Sequence, residues 1–300
     1  MKVQLQGFSY LILASLGFGS MGTIAIFAYN QGIDTNTLLF FRFSLAAITL
    51  WLIIALGKVP FRVNRKELVN LLLLGVIGYT SMSTLLFKSF QTISPAMATL
   101  VFYTYPLMVV FFSFLLGLEK VSKGKIYSLL AAGVGLILVL QANSEIKWSG
   151  IIYSIIAAII YAAFILISRE RLGGNSLVNS AYISLFTSIT LFLIGFWYHP
   201  IGILFNITAW ETMILLAVVS TIIPFLFFFE GLKKLDASKT AIISIVEPVF
   251  AVFLSHVFFG EQLTILQWVG LSCVILTSIT VSIDVNQFIP KKKLGIILKE

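Results

Sequence analysis

The residue with the clearest chemical implication is Glu247, a carboxylate within the strongly apolar stretch 238–260. It lies about nine residues, or roughly 14 Å along a helix, from the start of that stretch. Ionisable side chains at such a depth in a bilayer are costly and usually face a bundle interior or a water-filled cavity. Glu247 could bind a substrate ammonium group or carry a proton, or it could form a structural ion pair or a hydrogen bond at a helix end. Pro248 follows directly and loosens the helix there, because it lacks a backbone donor.

Arg42 is a second charged residue within an apolar stretch, about 9 Å from its nearer end. It could pair with Glu247, meet a substrate carboxylate, or extend its long side chain outward to the interface. We favour a structural role for this arginine. A metal site is not expected, since the two histidines, His199 and His256, have no carboxylate at ligand spacing.

Polar and aromatic residues near the middle of several apolar stretches could line a cavity around these charges. They are Tyr79, Ser83, Thr99, Tyr103, Tyr161 and Ser244. Thr99, Tyr103 and Pro106 share one helical face, because they are spaced i, i+4 and i+7. Tyrosine rings suit cation–π contact with a substrate. The same groups could instead pack in the core or hold helices together by hydrogen bonds.

The composition requires that these residues be positioned by membrane helices. Of the 300 residues, 59% are hydrophobic and 11% charged, whereas a soluble domain carries about a quarter charged residues. With a mean hydropathy of +1.04, the chain is predicted to be an all-α integral membrane protein. Stretches long enough to span a bilayer occur at 7–28, 36–56, 67–88, 95–117, 123–140, 150–167, 177–197, 209–231, 238–259 and 264–283.

The distribution of positive charge predicts the orientation. Most of the 20 basic residues fall in the loops and the tail that would share one side of the membrane. The positive-inside rule then places both termini in the cytoplasm. This topology also accounts for the net charge of +8, so nucleic-acid binding is not expected. The single cysteine, Cys273, allows no internal disulfide.

The chain looks like two copies of one unit. Pro106 precedes Pro248 by 142 positions (248 − 106), and the same offset relates Glu119 to Glu261. Chance similarity between apolar helices is disfavoured, because the matches include proline and glutamate. Five spans in each copy is an odd number, so the second copy would enter the membrane from the opposite side, as in many secondary transporters. The predicted units are 1–142 and 149–284, with a basic cytoplasmic tail at 285–300.

Several stretches resemble the EamA family of the drug/metabolite transporter superfamily. They are LASLGFGSMGTIA, with Phe18 where the family has Trp; TLLFFRFSLAAITL, which contains Arg42; YPLMVVFFSFLLGLEK; EPVFAVFLSHVFFGEQL; and GIIYSIIAAIIYAAFILISRE. The resemblance covers about 7–283. It implies ten spans in two inverted halves and the export or exchange of small metabolites. It implies no ATP site, and the sequence contains no Walker A pattern.

Together these features predict a secondary transporter in the cytoplasmic membrane that moves a small metabolite, such as an amino acid or a related amphipathic compound, as an exporter or exchanger. One half would rock against the other, with Pro106 and Pro248 as the flexing points. The alternatives are a multidrug or organic-cation exporter, in which Glu247 and the tyrosines form the cation site, and a channel. An enzyme is not expected, because no catalytic constellation is present. The expected partners are a small-molecule substrate and the bilayer, with no cofactor, and the protein is expected to be a monomer or a weak homodimer.

Overall fold

The computed structural model describes residues 2–93, 95–119, 122–140, 147–198, 201–202, 206–259 and 264–282. Within these residues the secondary structure is helical, with no strands. Parts of the sequence prediction depend on residues outside this set, namely Glu261, His199, Lys120 and the basic tail.

Each apolar stretch predicted from the sequence coincides with one helical run among the described residues. The runs are α1 (Lys2–Asn30), α2 (Thr35–Leu56), α3 (Arg65–Phe90), α4a (Pro95–Phe102), α4b (Tyr105–Leu115), α5 (Lys123–Leu140), α6 (Trp148–Arg171), α7 (Ser176–Trp197), α8 (Ile207–Lys234), α9a (Ala237–Ile243), α9b (Val246–Phe259) and α10 (Ile265–Ser282). In the described part of the chain, eight helices are long and apolar enough to cross a membrane; two of these are the broken runs α4 and α9.

Short polar loops end the helices, and side-chain caps begin several of them. The carboxylate of Asp34 accepts hydrogen bonds from the first backbone amides of α2, and Asn64 caps α3 in the same way. Asp236 caps α9a. Such caps satisfy amide groups that have no partner within the helix.

Helices α2 and α7, which are equivalent in the two halves of the sequence, pack against each other in opposite directions. The rings of Phe40 and Phe192 lie 5.9 Å apart, and those of Trp51 and Tyr182 lie 5.0 Å apart. The residue number in α2 therefore rises along the contact while the residue number in α7 falls. This antiparallel pairing of equivalent helices is the arrangement that an inverted repeat requires.

Helices α5 and α10 form a second pair of equivalent, closely packed helices. The Cys273 thiol lies 3.4 Å from the Ala131 carbonyl oxygen, and these two residues are separated by the repeat offset of 142 positions (273 − 131). A Cβ atom on Gly135 would lie 2.8 Å from Val274 Cγ2 and 3.1 Å from the Gly270 carbonyl. The small residues on this face of α5 thus serve packing within the chain, because they let the two helix backbones approach closely.

Gly135→Leu should destabilise the protein by about 1–3 kcal/mol, because the added side chain overpacks the α5–α10 contact. Gly133→Leu is the matched control: no described atom lies within 4 Å of a Cβ at Gly133, and both substitutions change helix propensity equally. Thermal unfolding of the purified variants measures the difference. Equal melting temperatures for the two variants would contradict this packing.

Helices α4 and α9 are both interrupted shortly before the prolines that the repeat relates. The chain makes a turn at Tyr103–Thr104 and another at Ser244–Ile245, after which α4b and α9b begin. A proline lacks the amide donor for the preceding turn and crowds its carbonyl, which explains a break at these places. Pro106 and Pro248 are both buried in the first turn of the second half-helix.

Helices α3 and α8 share a different irregularity, a π-helical segment at Leu74–Tyr79 and at Val218–Ile222. The Thr80 hydroxyl donates a 2.8 Å hydrogen bond to the Gly75 carbonyl, and Thr221 donates a 3.2 Å bond to the Leu216 carbonyl. Each hydroxyl donates to the carbonyl five residues earlier. This side-chain hydrogen bond supports the widened turn in addition to the backbone hydrogen bonds of the helix. Segments of this kind are frequent at functional sites.

Candidate functional site

The irregular segments of α3, α4 and α9 meet beside α2 and α6 in the interior of the bundle. The residues they bring together there, here called the central cluster, are Arg42, Tyr79, Tyr103, Tyr105, Tyr161, Ser244 and Glu247. Six of these seven are predicted as site residues from the sequence.

Three tyrosines of the central cluster form one aromatic wall. The ring centroids of Tyr105 and Tyr161 are 4.8 Å apart in an edge-on arrangement, and those of Tyr103 and Tyr105 are 5.4 Å apart. Phe102 completes the wall at 5.5 Å from Tyr161. The break between α4a and α4b is what allows three nearly consecutive rings of α4 to point into one region.

Tyr79 joins this wall to the arginine side of the cluster. Its ring lies 5.4 Å from Phe43, 4.8 Å from Phe225 and 5.4 Å from Phe164. Phe164 stacks on Tyr161 at 5.8 Å. Ring contacts therefore run without interruption from the helix that carries Arg42 to the tyrosines beside Glu247.

Glu247 is partly exposed, although Val246 and Pro248 on either side are buried. Its carboxylate interacts electrostatically with the other charged and phenolic members of the central cluster, which lie on four different helices. The carboxylate therefore lies among these four helices, inside the bundle. The Tyr103 hydroxyl lies near the carboxylate, but no hydrogen bond joins the two in the described structure. No ion pair within 4.0 Å involves Glu247 among the side chains that the structure describes.

Arg42 is 1% exposed and does not reach outward. Its Nε donates a 2.6 Å hydrogen bond to the Thr221 hydroxyl, and one Nη donates a 2.8 Å bond to the Ser220 carbonyl. The other Nη contacts the Met21 sulfur at 2.7 Å. Arg42 thus links α2 to the π segment of α8 and to α1, and its nearest partners are neutral groups of the protein.

Two glycines in α1 allow that helix to approach the irregular segments. A Cβ atom on Gly19 would lie 2.6 Å from the carbonyl oxygen of Glu247, and one on Gly17 would lie 2.7 Å from the carbonyl of Val219. A larger residue at either position would force α1 away from α9 or α8. The glycines of the LASLGFGSMGTIA stretch therefore help to position the backbone that carries Glu247.

Ser83 and Thr99 are the predicted site residues that take no part in the interactions of Glu247 within the described structure. The Ser83 hydroxyl donates to the Tyr79 carbonyl of its own helix at 2.5 Å, so its single donor is used locally. Thr99 contributes its backbone carbonyl, which accepts a 2.9 Å bond from the Tyr103 amide and closes the last turn of α4a.

Tyr105 is a member of the central cluster that the sequence analysis missed. In a continuous helix, Tyr103 and Tyr105 would point in directions about 160° apart, so they would not share one face. The break at Tyr103–Thr104 removes that restriction. A signal was nevertheless present: Tyr105 precedes Glu247 by the repeat offset of 142 positions (247 − 105) and is its counterpart in the first half.

A charged contact closes the bundle at the end where α4b meets α5 and α9a. Lys125 Nζ lies 2.8 Å from the Glu119 carboxylate and 3.1 Å from that of Asp236, and the Ser238 amide donates to Glu119 at 3.2 Å. Burial raises the pKa of Glu119, but the hydrogen bonds from Lys125 and Ser238 outweigh it and hold the pKa below its usual range. From the sequence, Glu119 is identified only as the counterpart of Glu261 in the repeat.

Glu119→Gln should cost about 1–3 kcal/mol of stability, because it removes the charge from a largely buried set of hydrogen bonds. Since the pKa of Glu119 is lowered by folding, its contribution is present above the unfolded pKa of about 4.3 and is lost as the pH falls through the folded pKa. Glu230→Gln is the control: its ion pair with Lys233 is 32–40% exposed and should contribute well under about 1 kcal/mol. Thermal unfolding at neutral and acidic pH measures both, and a Glu119→Gln loss no larger than that of the control would contradict the assignment.

Comparison with known proteins identifies relatives along most of the chain. The sequence is 29% identical over 253 residues to an uncharacterized transporter of Archaeoglobus fulgidus, covering 83% of this chain and 87% of that protein. It is 25% identical over 279 residues to the uncharacterized transporter YcbK of Bacillus subtilis, covering 88% of each. One solved crystal structure, 18% identical, superposes with a TM-score of 0.80 over 94% of this chain and 99% of its own, which shows a shared fold.

The family comparison matches the chain twice, in two consecutive segments. The model of the EamA-like transporter family matches residues 5–141 and again residues 148–283. Between them the two matches contain every helix of the central cluster and nearly the whole sequence. The chain is a membrane protein that belongs to the EamA-like transporter family.

Proposed function

We propose that the protein is a secondary transporter that moves a small amphipathic metabolite, such as an amino acid, across the cytoplasmic membrane as an exporter or exchanger. The observation that carries this proposal is the convergence of the broken helices α4 and α9 on the Glu247 carboxylate inside the bundle. Family membership and the relatives named as transporters support the general class. Discontinuous helices around a central site are a recurring feature of such carriers.

In the proposed mechanism, two five-helix halves rock against each other around the central cluster. All ten helical runs cross the membrane, with α5 and α10 as the fifth and tenth spans. Helix α4b packs on α9a at the end closed by Lys125, so access from that end requires this contact to open. The breaks before Pro106 and Pro248 are the places where the half-helices can change angle with little loss of backbone hydrogen bonding.

The proposed orientation places both termini and the Lys125 contact in the cytoplasm. In a Cys273→Ser background, Lys123→Cys should resist a membrane-impermeant thiol reagent in intact cells and react after permeabilisation. Lys147→Cys, at the opposite end, should react in intact cells. Both lysines are exposed in the structure, so accessibility within the protein does not distinguish them. Labelling of Lys123→Cys in intact cells would contradict the proposed orientation and indicate the opposite one.

Counterflow in proteoliposomes tests the proposed function. Vesicles loaded with an unlabelled candidate solute should accumulate the labelled solute transiently, and the rate should saturate with concentration. Amino acids, amines and nucleosides form a suitable first panel. Flux that neither saturates nor shows counterflow would favour a channel.

A second candidate function, export of organic cations, is favoured by one specific observation. Glu247 has aromatic rings around it and no ion pair within the described residues. Aromatic rings and a carboxylate are the groups that recognise organic cations. Cationic dyes therefore belong in the same counterflow panel.

A further inference from the structure

We propose that the central cluster recognises the ammonium group of a singly charged amine with an apolar body, and that a substrate carboxylate adds nothing to binding. Glu247 would be the counter-charge, and the hydroxyls of Tyr103 and Tyr105 would accept hydrogen bonds from the ammonium group. This inference rests on the proposed transport function and specifies its substrate.

The first step of the argument concerns the charge of Glu247. A carboxylate inside a membrane bundle normally pairs with another charged group, yet the described side chains offer it no ion pair within 4.0 Å. Arg42, whose charge acts on Glu247, directs its donors to Thr221, Ser220 and Met21. The described side chains thus leave the position beside Glu247 to a cation from outside.

The second step concerns two buried hydroxyls. Tyr103 and Tyr105 are 6% and 1% exposed, and neither hydroxyl has a hydrogen-bond partner among the residues that the structure describes. Buried polar groups are nearly always satisfied, so each exception calls for an explanation. Both phenols interact electrostatically with Glu247. An ammonium group placed beside the carboxylate has three donors and could serve the carboxylate and both phenols together.

The third step concerns the body of the ligand. Beyond the hydroxyls, the wall consists of the rings of Tyr103, Tyr105, Tyr161 and Phe102, with neighbouring centroids 4.8–5.6 Å apart. Such a surface favours an apolar or aromatic group and adds cation–π attraction for the charge. Because Glu247 is the one carboxylate in the central cluster, we expect a ligand with one positive charge to be preferred.

The fourth step explains why a substrate carboxylate is not recognised. The group suited to bind one would be Arg42, whose planar fork pairs with carboxylates in a bidentate manner. Two of its nitrogens already donate to Thr221 and Ser220 at 2.6 and 2.8 Å. The N–H groups that remain belong to a side chain that is 1% exposed and contacts Met21, so Arg42 presents no open donor pair to a substrate carboxylate.

Binding of three indole compounds to the purified full-length protein at neutral pH tests the inference. Tryptamine carries the ammonium group, N-acetyltryptamine is its neutral counterpart, and indole-3-propionate carries a carboxylate instead. We expect tryptamine to bind at least about tenfold more tightly than the other two, because they lack the charge-assisted hydrogen bonds. Tryptophan should bind no more tightly than tryptamine. Equal binding of tryptamine and N-acetyltryptamine, or tighter binding of tryptophan, would overturn the proposal.

Variants assign the effect to this cluster. Glu247→Gln should lose the preference for tryptamine over N-acetyltryptamine, whereas the matched control Glu230→Gln should keep it. If Glu247→Gln does not fold, the double variant Tyr103→Phe with Tyr105→Phe provides the test, since it removes only the two hydroxyls. It should weaken tryptamine binding about tenfold, and unchanged affinity would contradict the assignment.

Counterflow separates the failure of this inference from failure of the proposed function. Saturable exchange of neutral or anionic solutes, with no advantage for amines, would leave a transporter and overturn the ammonium site. Absence of saturable exchange for every compound in the panel would overturn the transport function itself.

Discussion

Arg42→Ala should destabilise the protein by about 3 kcal/mol or more, while Glu247 and the tyrosines stay intact. The substitution removes two charge-assisted hydrogen bonds, to Thr221 and to the Ser220 carbonyl, each worth roughly 1.5–3 kcal/mol. It also empties the space of a fully buried side chain, which adds the cost of a cavity. Thermal unfolding in detergent measures the loss.

A double-mutant cycle shows whether the loss comes from the link between α2 and α8. Arg42→Ala and Thr221→Val should be non-additive by about 0.5–3 kcal/mol, as expected for residues in contact. Thr80→Val is the matched control, because Thr80 makes the corresponding hydrogen bond within α3 and holds no arginine. If the stability losses of Arg42→Ala and Thr221→Val were additive, Arg42 would not act through α8. The same conclusion would follow if Arg42→Ala showed equal interaction energies with Thr221→Val and Thr80→Val.

Much of the fold follows from the sequence because a membrane helix must be long, apolar and internally hydrogen-bonded. The breaks in α4 and α9 follow from Pro106 and Pro248, whose effect on a helix is local. The π segments of α3 and α8 could not be predicted in this way. The segments Leu74–Tyr79 and Val218–Ile222 contain no proline, and hydroxyls and tertiary packing support their widened turns.

The sequence could predict which residues belong to the central cluster, but not which of them pair with each other. Glu247 and Arg42 were identifiable because charges are rare in apolar stretches. The sequence left open whether they pair with each other. The structure instead gives Arg42 a backbone carbonyl and a hydroxyl of α8, acceptors that no residue pattern displays in advance. Tyr105 was missed because its direction depends on a break in the helix rather than on helical periodicity.

Glu247→Gln should fold and reach the membrane, with a loss of stability of about 1 kcal/mol or less, yet abolish exchange. Glutamine keeps the size and most of the hydrogen-bonding capacity of glutamate and removes only its charge. If Glu247 were half of a buried ion pair with Arg42, the same substitution would leave an uncompensated charge and cost about 3–5 kcal/mol. Expression level, gel-filtration profile and melting temperature separate these two roles.

The central claim is that Glu247 serves transport, and counterflow by Glu247→Gln proteoliposomes tests it most directly. The measurement compares wild type, Glu247→Gln and the control Glu230→Gln at equal protein content, with a solute that wild type exchanges. We predict saturable exchange for wild type and Glu230→Gln, and exchange at the level of empty vesicles for a Glu247→Gln protein that is folded and monodisperse. Exchange by Glu247→Gln at the wild-type rate would contradict the claim. The transport site would then have to be sought at the aromatic wall alone.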